Sequence, residues 1–263
     1  MRQRPEVGLV CIDVDGTVSD RFRRPSVAGA AAALASIRRR LPLRLVTNTT
    51  SVCHRELTRL LTDQGLLDDP DELVTPAASA RRVLTARGHA SGLLIVDPSA
   101  REDFDWFSED RQGPAVVLAT ESHDRRIADL QPAFRRLLDG ATLYTLQRNR
   151  YYRRGEELVT DLGPVASFLA YAAGCGIETL GKPSRLLFEG LAAEAGCALG
   201  GVVMVGDDAE FDASGSVTLG MSGVLVCTGK YRPGDESRVD PPPTAVLDSV
   251  ADLPRWLGLD QDA

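Results

Sequence analysis

The sequence predicts an α/β protein in which a second α/β domain interrupts a core built on a parallel sheet. Short apolar runs alternate with segments of helical periodicity along almost the whole chain, a pattern typical of βα units. Polar clusters of the kind found in active sites follow the predicted strands near positions 13, 47 and 207, but not those in the middle of the chain. The predicted boundaries are residues 1–77 and 180–263 for the core and residues 78–179 for the inserted domain.

The elements of the core are predicted in order along the chain. Residues 7–13 form a continuous apolar run, the pattern of a strand buried on both faces of a parallel sheet. An alanine-rich segment of helical periodicity follows it. The remaining core elements are strands at 43–46, 202–205 and 223–226 and helices at 27–40, 52–64 and 250–257. Residues 229–244, rich in glycine, proline and charge, are expected to form a surface loop.

The middle of the chain has its own alternation of apolar runs and helical segments. Its predicted strands are residues 92–96, 115–119 and 142–146, and its predicted helices are residues 77–87, 125–138 and 163–173. This part of the chain therefore predicts a second α/β domain with its own core.

Composition narrows the class of protein. The hydrophobic fraction of 43% and the charged fraction of 25% are those of a globular protein. No apolar run reaches the roughly 20 residues of a membrane-spanning helix, and the net charge of −7 disfavours nucleic acid as the main partner. The five scattered cysteines form no Cys-x-x-Cys pair, so we expect reduced thiols and no zinc site. We expect a cytoplasmic protein without a membrane or nucleic-acid partner.

Two carboxylates stand where the first strand ends. Asp13 and Asp15 follow the apolar run, and ligands of open α/β sheets bind at the carboxyl ends of the strands. In a continuing strand they would share one face, while Gly16 permits a sharp turn and Thr17 can donate a hydroxyl hydrogen bond. This arrangement suits a hard divalent cation and attack on phosphorus. An EF-hand calcium loop does not fit, because Arg24 stands where its bidentate glutamate belongs.

Groups suited to phosphate follow the second strand and precede a later helix. The segment Thr47-Asn48-Thr49 offers hydroxyl, amide and backbone donors. Lys182, one of only two lysines, stands at a predicted helix start, where its charge and the helix N-terminus both favour an anion. The preceding residues match a P-loop, but Pro183 occupies the position of the Ser or Thr that must hold Mg²⁺. An NTPase is therefore disfavoured.

A further group of carboxylates follows the strand at 202–205. Asp207 and Asp208 end this strand, and Asp212 lies about one helical turn later. With Asp13 and Lys182, these residues fit one mechanism, phosphate chemistry at a metal ion.

These four segments, in this order, resemble the motifs of the haloacid dehalogenase superfamily. The matches are residues 13–17, Thr47, Lys182 and residues 207–212, and the long insertion between the second and third resembles the type-2 cap of subclass IIA. The resemblance covers nearly the whole chain. It implies a Rossmann-like parallel-sheet core with helices on both faces and an inserted α/β cap that determines substrate specificity.

The resemblance also implies a role for each matched residue. Asp13 would be the nucleophile that forms an aspartyl-phosphate, and Asp15 would act first as general acid and then as general base. Mg²⁺ would be held by the carboxylates of Asp13 and Asp207 and by the backbone carbonyl of Asp15. Thr47 and Lys182 would stabilise charge on the transferring phosphoryl group.

Other residues have supporting or substrate-binding roles by the same resemblance. Asp212 would orient Lys182 or a metal-bound water, and Asp208 would do either or cap the following helix. Tyr151 and its neighbours at 149–152 either line the substrate entrance or serve in packing. The expected substrate-binding residues are Gly16, Asn48, Thr49, Tyr151 and Lys182.

Together these features predict a Mg²⁺-dependent phosphatase that hydrolyses a small phosphorylated metabolite through an aspartyl-phosphate. A phosphotransferase or phosphomutase of the same fold is one alternative, because the phosphoryl group can pass to an acceptor other than water. A non-catalytic binding protein is another, although the intact Asp13, Asp15, Asp207 and Lys182 disfavour it. The resemblance also implies a homodimer formed through the cap.

Overall fold

The computed structural model describes residues 7–20, 23–119, 126–154 and 157–259. The α-helices within these ranges are α1 (Ala30–Arg38), α2 (His54–Asp63), α3 (Pro76–Ala86), α4 (Gln131–Leu138), α5 (Leu162–Ala173), α6 (Arg185–Glu194), α7 (Gly215–Thr218) and α8 (Leu253–Leu257). The strands are β1 (Leu9–Ile12), β2 (Ser19–Asp20), β3 (Arg23–Ser26), β4 (Leu43–Val46), β5 (Leu73–Val74), β6 (Ser91–Ile95), β7 (Ser108–Glu109), β8 (Ala115–Leu118), β9 (Thr142–Thr145), β10 (Tyr151–Arg154), β11 (Glu157–Thr160), β12 (Ile177–Thr179), β13 (Val202–Gly206), β14 (Ser222–Val226) and β15 (Ala245–Leu247).

The chain divides into two compact units. The first contains the described residues up to Thr47, residues Arg55–Val74 and those from Arg185 onward. The second contains Asn48–His54 and Thr75–Ser184. It extends the predicted range of 78–179 by a few residues at each end and adds a short segment that precedes α2.

A six-stranded, wholly parallel sheet forms the first unit. Its order is β15-β14-β13-β1-β4-β5. The chain moves outward from β1 through β4 to β5, and later from β13 through β14 to β15 in the opposite direction. Because crossovers between parallel strands are right-handed, this reversal places the connecting helices on both faces of the sheet. It also creates a switch point between β1 and β13, where open α/β sheets form their binding crevice.

The central strands are buried on both faces, which explains their unbroken apolar sequences. Every residue of β1, β13 and β14 is buried. On one face, Leu187, Phe188 and Leu191 of α6 pack against Leu9 and Met204 of the sheet. This core fixes the strands whose carboxyl ends carry the polar residues singled out above.

The second unit contains a five-stranded parallel sheet in the order β12-β9-β8-β6-β7, together with the antiparallel hairpin of β10 and β11. The strands predicted from apolar runs are confirmed within one or two residues. Several additional strands (β5, β12, β15 and the hairpin) were not predicted, because two to four residues are too few to show an alternating pattern. Within the described residues, no helix is both long and apolar enough to cross a membrane.

Candidate active site

The register of the two central strands places the acidic segments side by side. β1 and β13 pair in parallel from Leu9 opposite Val202 to Ile12 opposite Val205. Beyond the last pair, the Asp13 amide donates a hydrogen bond of 2.8 Å to the Val205 carbonyl. Both strands therefore end at the same level of the sheet, and the residues that follow them emerge together.

Three buried carboxylates meet at this point. Asp13, Asp207 and Asp212 each offer a carboxylate oxygen, and these oxygens lie within 4.8 Å of one another. Asp212 comes from the π-helical turn Ala209–Ser214, which follows Asp208. Gly206 permits this approach, since a Cβ at that position would collide with the Asp212 side chain. We call Asp13, Asp207 and Asp212 the acidic cluster. The sequence analysis expected Asp212 to have an orienting role, and the structure places its carboxylate within this cluster.

Asp13 and Asp15 do not share a strand face, which corrects the sequence expectation. β1 ends at Ile12, so the period-two rule no longer applies to the residues beyond it. Asp13 is buried and accepts a hydrogen bond of 3.3 Å from the Thr17 hydroxyl. Asp15 lies in the following turn with its side chain exposed. The assignment of its backbone carbonyl to the metal stays a prediction.

Asp207 is only partly satisfied by the protein. Its Oδ2 accepts a hydrogen bond of 2.7 Å from the backbone amide of Lys230, whereas its Oδ1 is buried and has no hydrogen-bond partner among the described residues. Burial, followed by the charge of Asp13, raises the pKa of Asp207 well above its ordinary value. A buried carboxylate oxygen without a partner is costly unless a cation approaches it.

Lys230 was missed by the sequence analysis. Its residue range, 229–244, was expected to be a surface loop, but the Lys230 ammonium lies 2.6 Å from Asp208 Oδ2 and its amide binds Asp207. Burial acts to raise the pKa of Asp208, but the charge and hydrogen bond of Lys230 outweigh it and the pKa is lowered. The scarcity of lysine was one sequence signal for this residue.

Asp208 caps the turn that carries Asp212. Its Oδ1 accepts hydrogen bonds from the amides of Glu210 and Phe211, at 2.8 and 2.9 Å. Of the roles left open for Asp208 by the sequence, the capping role is the one that these hydrogen bonds show. Lys230 therefore pairs with Asp208, which lies outside the group of Asp13, Asp207 and Asp212, and the carboxylate oxygens of that group are ligands that fit Mg²⁺.

The phosphate-binding candidates are divided between the two units. Thr47 belongs to the first unit, where it is buried at the end of β4 and its amide donates to the Val74 carbonyl at 3.1 Å. Asn48, Thr49 and Lys182 belong to the second unit. The meeting of Lys182 with the acidic cluster therefore stays a prediction.

Within the second unit, Asn48 holds the backbone of Lys182 through two hydrogen bonds. The Lys182 amide donates to Asn48 Oδ1 at 2.8 Å, and Asn48 Nδ2 donates to the Lys182 carbonyl at 3.0 Å. Lys182 is buried, and the adjacent Gly181 leaves room for Asn48, since a Cβ there would overlap Asn48 Oδ1. The P-loop-like run preceding Lys182 contains β12, which confirms that it is not a phosphate loop.

Tyr151 begins the hairpin of β10 and β11, where it pairs with Thr160. Its side chain is 59% exposed. An exposed tyrosine on a hairpin is available for recognition, but its substrate-binding role stays a prediction.

Comparison with known proteins identifies the family. The model for haloacid dehalogenase-like hydrolases matches residues 10–106, and the HAD-hydrolase-like model matches residues 179–253. Haloacid dehalogenase-like hydrolase domain-containing protein 2 of Mus musculus is 33% identical over 251 residues, covering 95% of each chain. The chain belongs to the haloacid dehalogenase-like hydrolase family. Another relative, the phospholysine phosphohistidine inorganic pyrophosphate phosphatase of Bos taurus, is 32% identical over 249 residues, covering 92% of this chain and 91% of its own.

Solved structures share the fold of this family member. The 4-nitrophenylphosphatase of Thermotoga maritima superposes with a TM-score of 0.83 at 22% identity, covering 95% of this chain and 97% of its own. NagD from E. coli K-12 gives a TM-score of 0.80 at 20% identity, covering 94% and 98%. The predicted Rossmann-like core with an inserted cap is confirmed, and the chain is a hydrolase.

Proposed function

We propose that this hydrolase is a Mg²⁺-dependent phosphatase that acts on a small phosphorylated molecule through an aspartyl-phosphate on Asp13. One observation carries the proposal: the carboxylates of Asp13, Asp207 and Asp212 converge in a buried cluster at the switch point of the sheet, and Asp207 Oδ1 has no hydrogen-bond partner in the part of the chain that the structure describes. A divalent cation would complete this cluster, and phosphate oxygens are the substrate groups that such a cation attracts.

The nucleophile is the carboxylate of Asp13. One of its oxygens attacks phosphorus, and the bond between phosphorus and the leaving oxygen or nitrogen breaks as that atom receives a proton from Asp15. Water then attacks the aspartyl-phosphate and gives its proton to Asp15, which releases inorganic phosphate and regenerates Asp13. The Thr17 hydroxyl, bound to Asp13 Oδ2 at 3.3 Å, orients the nucleophile in both steps.

Mg²⁺ would be held by Asp13 and Asp207, by the carbonyl of Asp15, and directly or through water by Asp212. When bound, it neutralises the acidic cluster and withdraws charge from the phosphoryl oxygens. Thr47 and Lys182 bind the phosphoryl group in this proposal, with Asn48 fixing the backbone of Lys182. Asn48, Thr49 and Gly16 contribute further contacts to the substrate.

The names of the relatives guide the choice of substrate class. One relative is named for phospholysine, phosphohistidine and inorganic pyrophosphate, and a structural neighbour for 4-nitrophenyl phosphate. We therefore infer a small substrate with a terminal phosphoryl group on oxygen or nitrogen. Residues of the second unit, including Tyr151, are proposed to determine which of these molecules enters.

The decisive experiment measures phosphate release from a panel of such compounds with Mg²⁺ and with excess EDTA. We expect turnover of at least one compound with Mg²⁺ and none with EDTA. Asp13→Asn should reduce turnover to background, and Asp15→Asn should slow it by about 10²–10⁴-fold. Asp20→Asn, an exposed aspartate of the same unit, is the matched control and should retain activity.

Two results would contradict the proposal. Full activity in excess EDTA would show that the reaction does not require a metal ion. Near-normal turnover by Asp13→Asn would show that the reaction does not pass through an aspartyl-phosphate on Asp13. Adding alcohol acceptors distinguishes hydrolysis from phosphotransfer, because a phosphotransferase would release its first product faster and yield a new phosphate ester instead of inorganic phosphate.

A further inference from the structure

The residues Thr228, Gly229 and Lys230, which we call the strap, contact both acidic segments of the first unit. The Thr228 hydroxyl donates a hydrogen bond of 2.6 Å to the Gly16 carbonyl. The Lys230 amide donates one of 2.7 Å to Asp207 Oδ2. Three residues therefore connect the turn after β1 with the carboxylate after β13.

Gly229 allows this close approach. Its φ of +58° lies in the left-handed region, and a Cβ there would collide with Asp207 Oδ2 and lie 2.6 Å from Gly16 Cα. Gly16 is subject to the same restriction from the other side, with a φ of +89° and no room for a Cβ against Asp207. The two glycines and the Asp207 carboxylate are thus packed in direct contact.

The strap is also fixed at its end. The Lys230 ammonium lies 2.6 Å from Asp208 Oδ2, although the lysine side chain is 56% exposed. Asp208 follows Asp207 directly, so Lys230 binds two consecutive residues, one through its amide and one through its side chain. The two Asp207 oxygens are therefore unequal: Oδ2 accepts a hydrogen bond from the strap, and Oδ1 is buried with no hydrogen-bond partner within the described ranges.

We propose that the strap is a positioning element that holds Asp207 with Oδ1 presented to the cation and ties the Gly16 turn to the same carboxylate. The inference rests on the proposed Mg²⁺-dependent function. A carboxylate whose second oxygen is already hydrogen-bonded has little freedom left to lose when it binds a metal ion. Partners of this kind commonly change metal affinity about 10–100-fold when they are removed.

The test compares two glycines of the same loop region in the full-length, metal-free protein. Gly229→Ala introduces a methyl group against Asp207, whereas Gly234→Ala, with a φ of +92°, has only the Arg238 guanidinium at 3.9 Å. Both glycines have a positive φ, so both changes impose backbone strain. Titration calorimetry with Mg²⁺ should give a Kd raised about 10–100-fold for Gly229→Ala and changed by no more than about twofold for Gly234→Ala.

A second pair of variants covers the case in which Gly229→Ala does not fold. Thr228→Val removes the hydroxyl that binds Gly16 and keeps the side-chain shape. Thr218→Val removes a comparable hydroxyl, which donates to the Ser214 carbonyl at 3.0 Å on α7. Only Thr228→Val should raise the Kd for Mg²⁺, and it should raise the Mg²⁺ concentration for half-maximal activity by the same factor.

The outcomes separate this inference from the proposed function. A Kd for Mg²⁺ that is unchanged in the strap variants, or weakened equally in the controls, would overturn the positioning role while the phosphatase proposal stands. If the wild-type protein binds no Mg²⁺, the metal-dependent function fails and the strap proposal falls with it. A selective loss in the strap variants supports both.

Discussion

At the residue scale, the buried position of Asp207 makes its ionisation costly in the metal-free protein. It is buried beside Asp13 and Asp212, and its pKa is raised by burial and then by the charge of Asp13. Because its pKa is higher in the folded state than in the unfolded state, folding opposes its ionisation. Asp207 therefore makes its full contribution to the free energy of unfolding at low pH, where it is protonated. That contribution is lost as the pH rises through the folded-state pKa of Asp207.

We therefore expect Asp207→Asn to stabilise the metal-free protein at neutral pH. The amide retains an acceptor for the Lys230 amide and removes the buried charge. The gain should be about 0.5–2 kcal/mol, the usual size of a single stabilising substitution, and it should shrink as the pH falls through the folded-state pKa of Asp207. Urea unfolding in EDTA at several pH values measures it.

The neighbouring Asp208 is the control, because its pKa is shifted in the opposite direction. Burial acts to raise it, but Lys230 and the amides of Phe211 and Glu210 lower it below the ordinary value. Asp208→Asn should therefore destabilise the protein at neutral pH, with the effect disappearing in acid. Equal effects of the two substitutions would show that the acidic cluster carries no net repulsion.

At the element scale, Asn48 fixes the segment that precedes α6. Its side chain forms both a donor and an acceptor bond with the backbone of Lys182, so the position of this lysine depends on an amide group 134 positions earlier in the chain. Such a bond pair resembles one step of a β-ladder and restrains the Lys182 backbone rather than its ammonium group.

Asn48→Ala should accordingly lower both stability and turnover. Loss of two partly buried hydrogen bonds is expected to cost about 1–3 kcal/mol in the free energy of unfolding. Lys182→Ala keeps the backbone bonds and should cause the larger loss of kcat/KM, because it removes the charge itself. Thermal unfolding and steady-state kinetics on both variants test this, and unchanged activity of Asn48→Ala would rule out a positioning role.

At the scale of the whole molecule, the acidic cluster and the residues proposed to select the substrate lie in different units. The acidic cluster belongs to the unit with the six-stranded sheet, and the hairpin that carries Tyr151 belongs to the other. Such a division lets one phosphate chemistry be combined with different recognition surfaces, since the residues that transfer the phosphoryl group are not those that select its carrier.

Substitutions on the hairpin should therefore change specificity and leave metal dependence intact. Tyr151→Ala and Arg150→Ala are expected to alter kcat/KM by different factors for different phosphate esters, at an unchanged Mg²⁺ requirement. Tyr171→Ala is the matched control, because Tyr171 lies in the same unit and is 92% exposed on α5. A uniform loss over large and small esters would place Tyr151 in packing.

The sequence alone predicted the parallel α/β architecture, the interrupted core and the acidic segments near 13 and 207. These features can be predicted because a strand buried on both faces requires a continuous apolar run, so polar residues at its carboxyl end are easily recognised in the sequence. Short strands such as β5 and β15 contain too few residues to be recognised in the sequence. The end of β1 at Ile12 could not be predicted either, because an Asp-x-Asp pattern is compatible with a strand that continues.

Only the tertiary structure revealed how the segments combine. The pairing of β1 with β13 brings Asp13 close to Asp207, although the two residues lie 194 positions apart in the sequence. The loop at 228–230 donates a hydrogen bond to Asp207 Oδ2, and Oδ1 has no hydrogen-bond partner among the described residues. Lys230 resembled a solvated loop lysine in the sequence because its role depends on a backbone amide, which every residue except proline has. Side-chain chemistry can be read along a chain, but contacts between distant backbone groups are decided by packing.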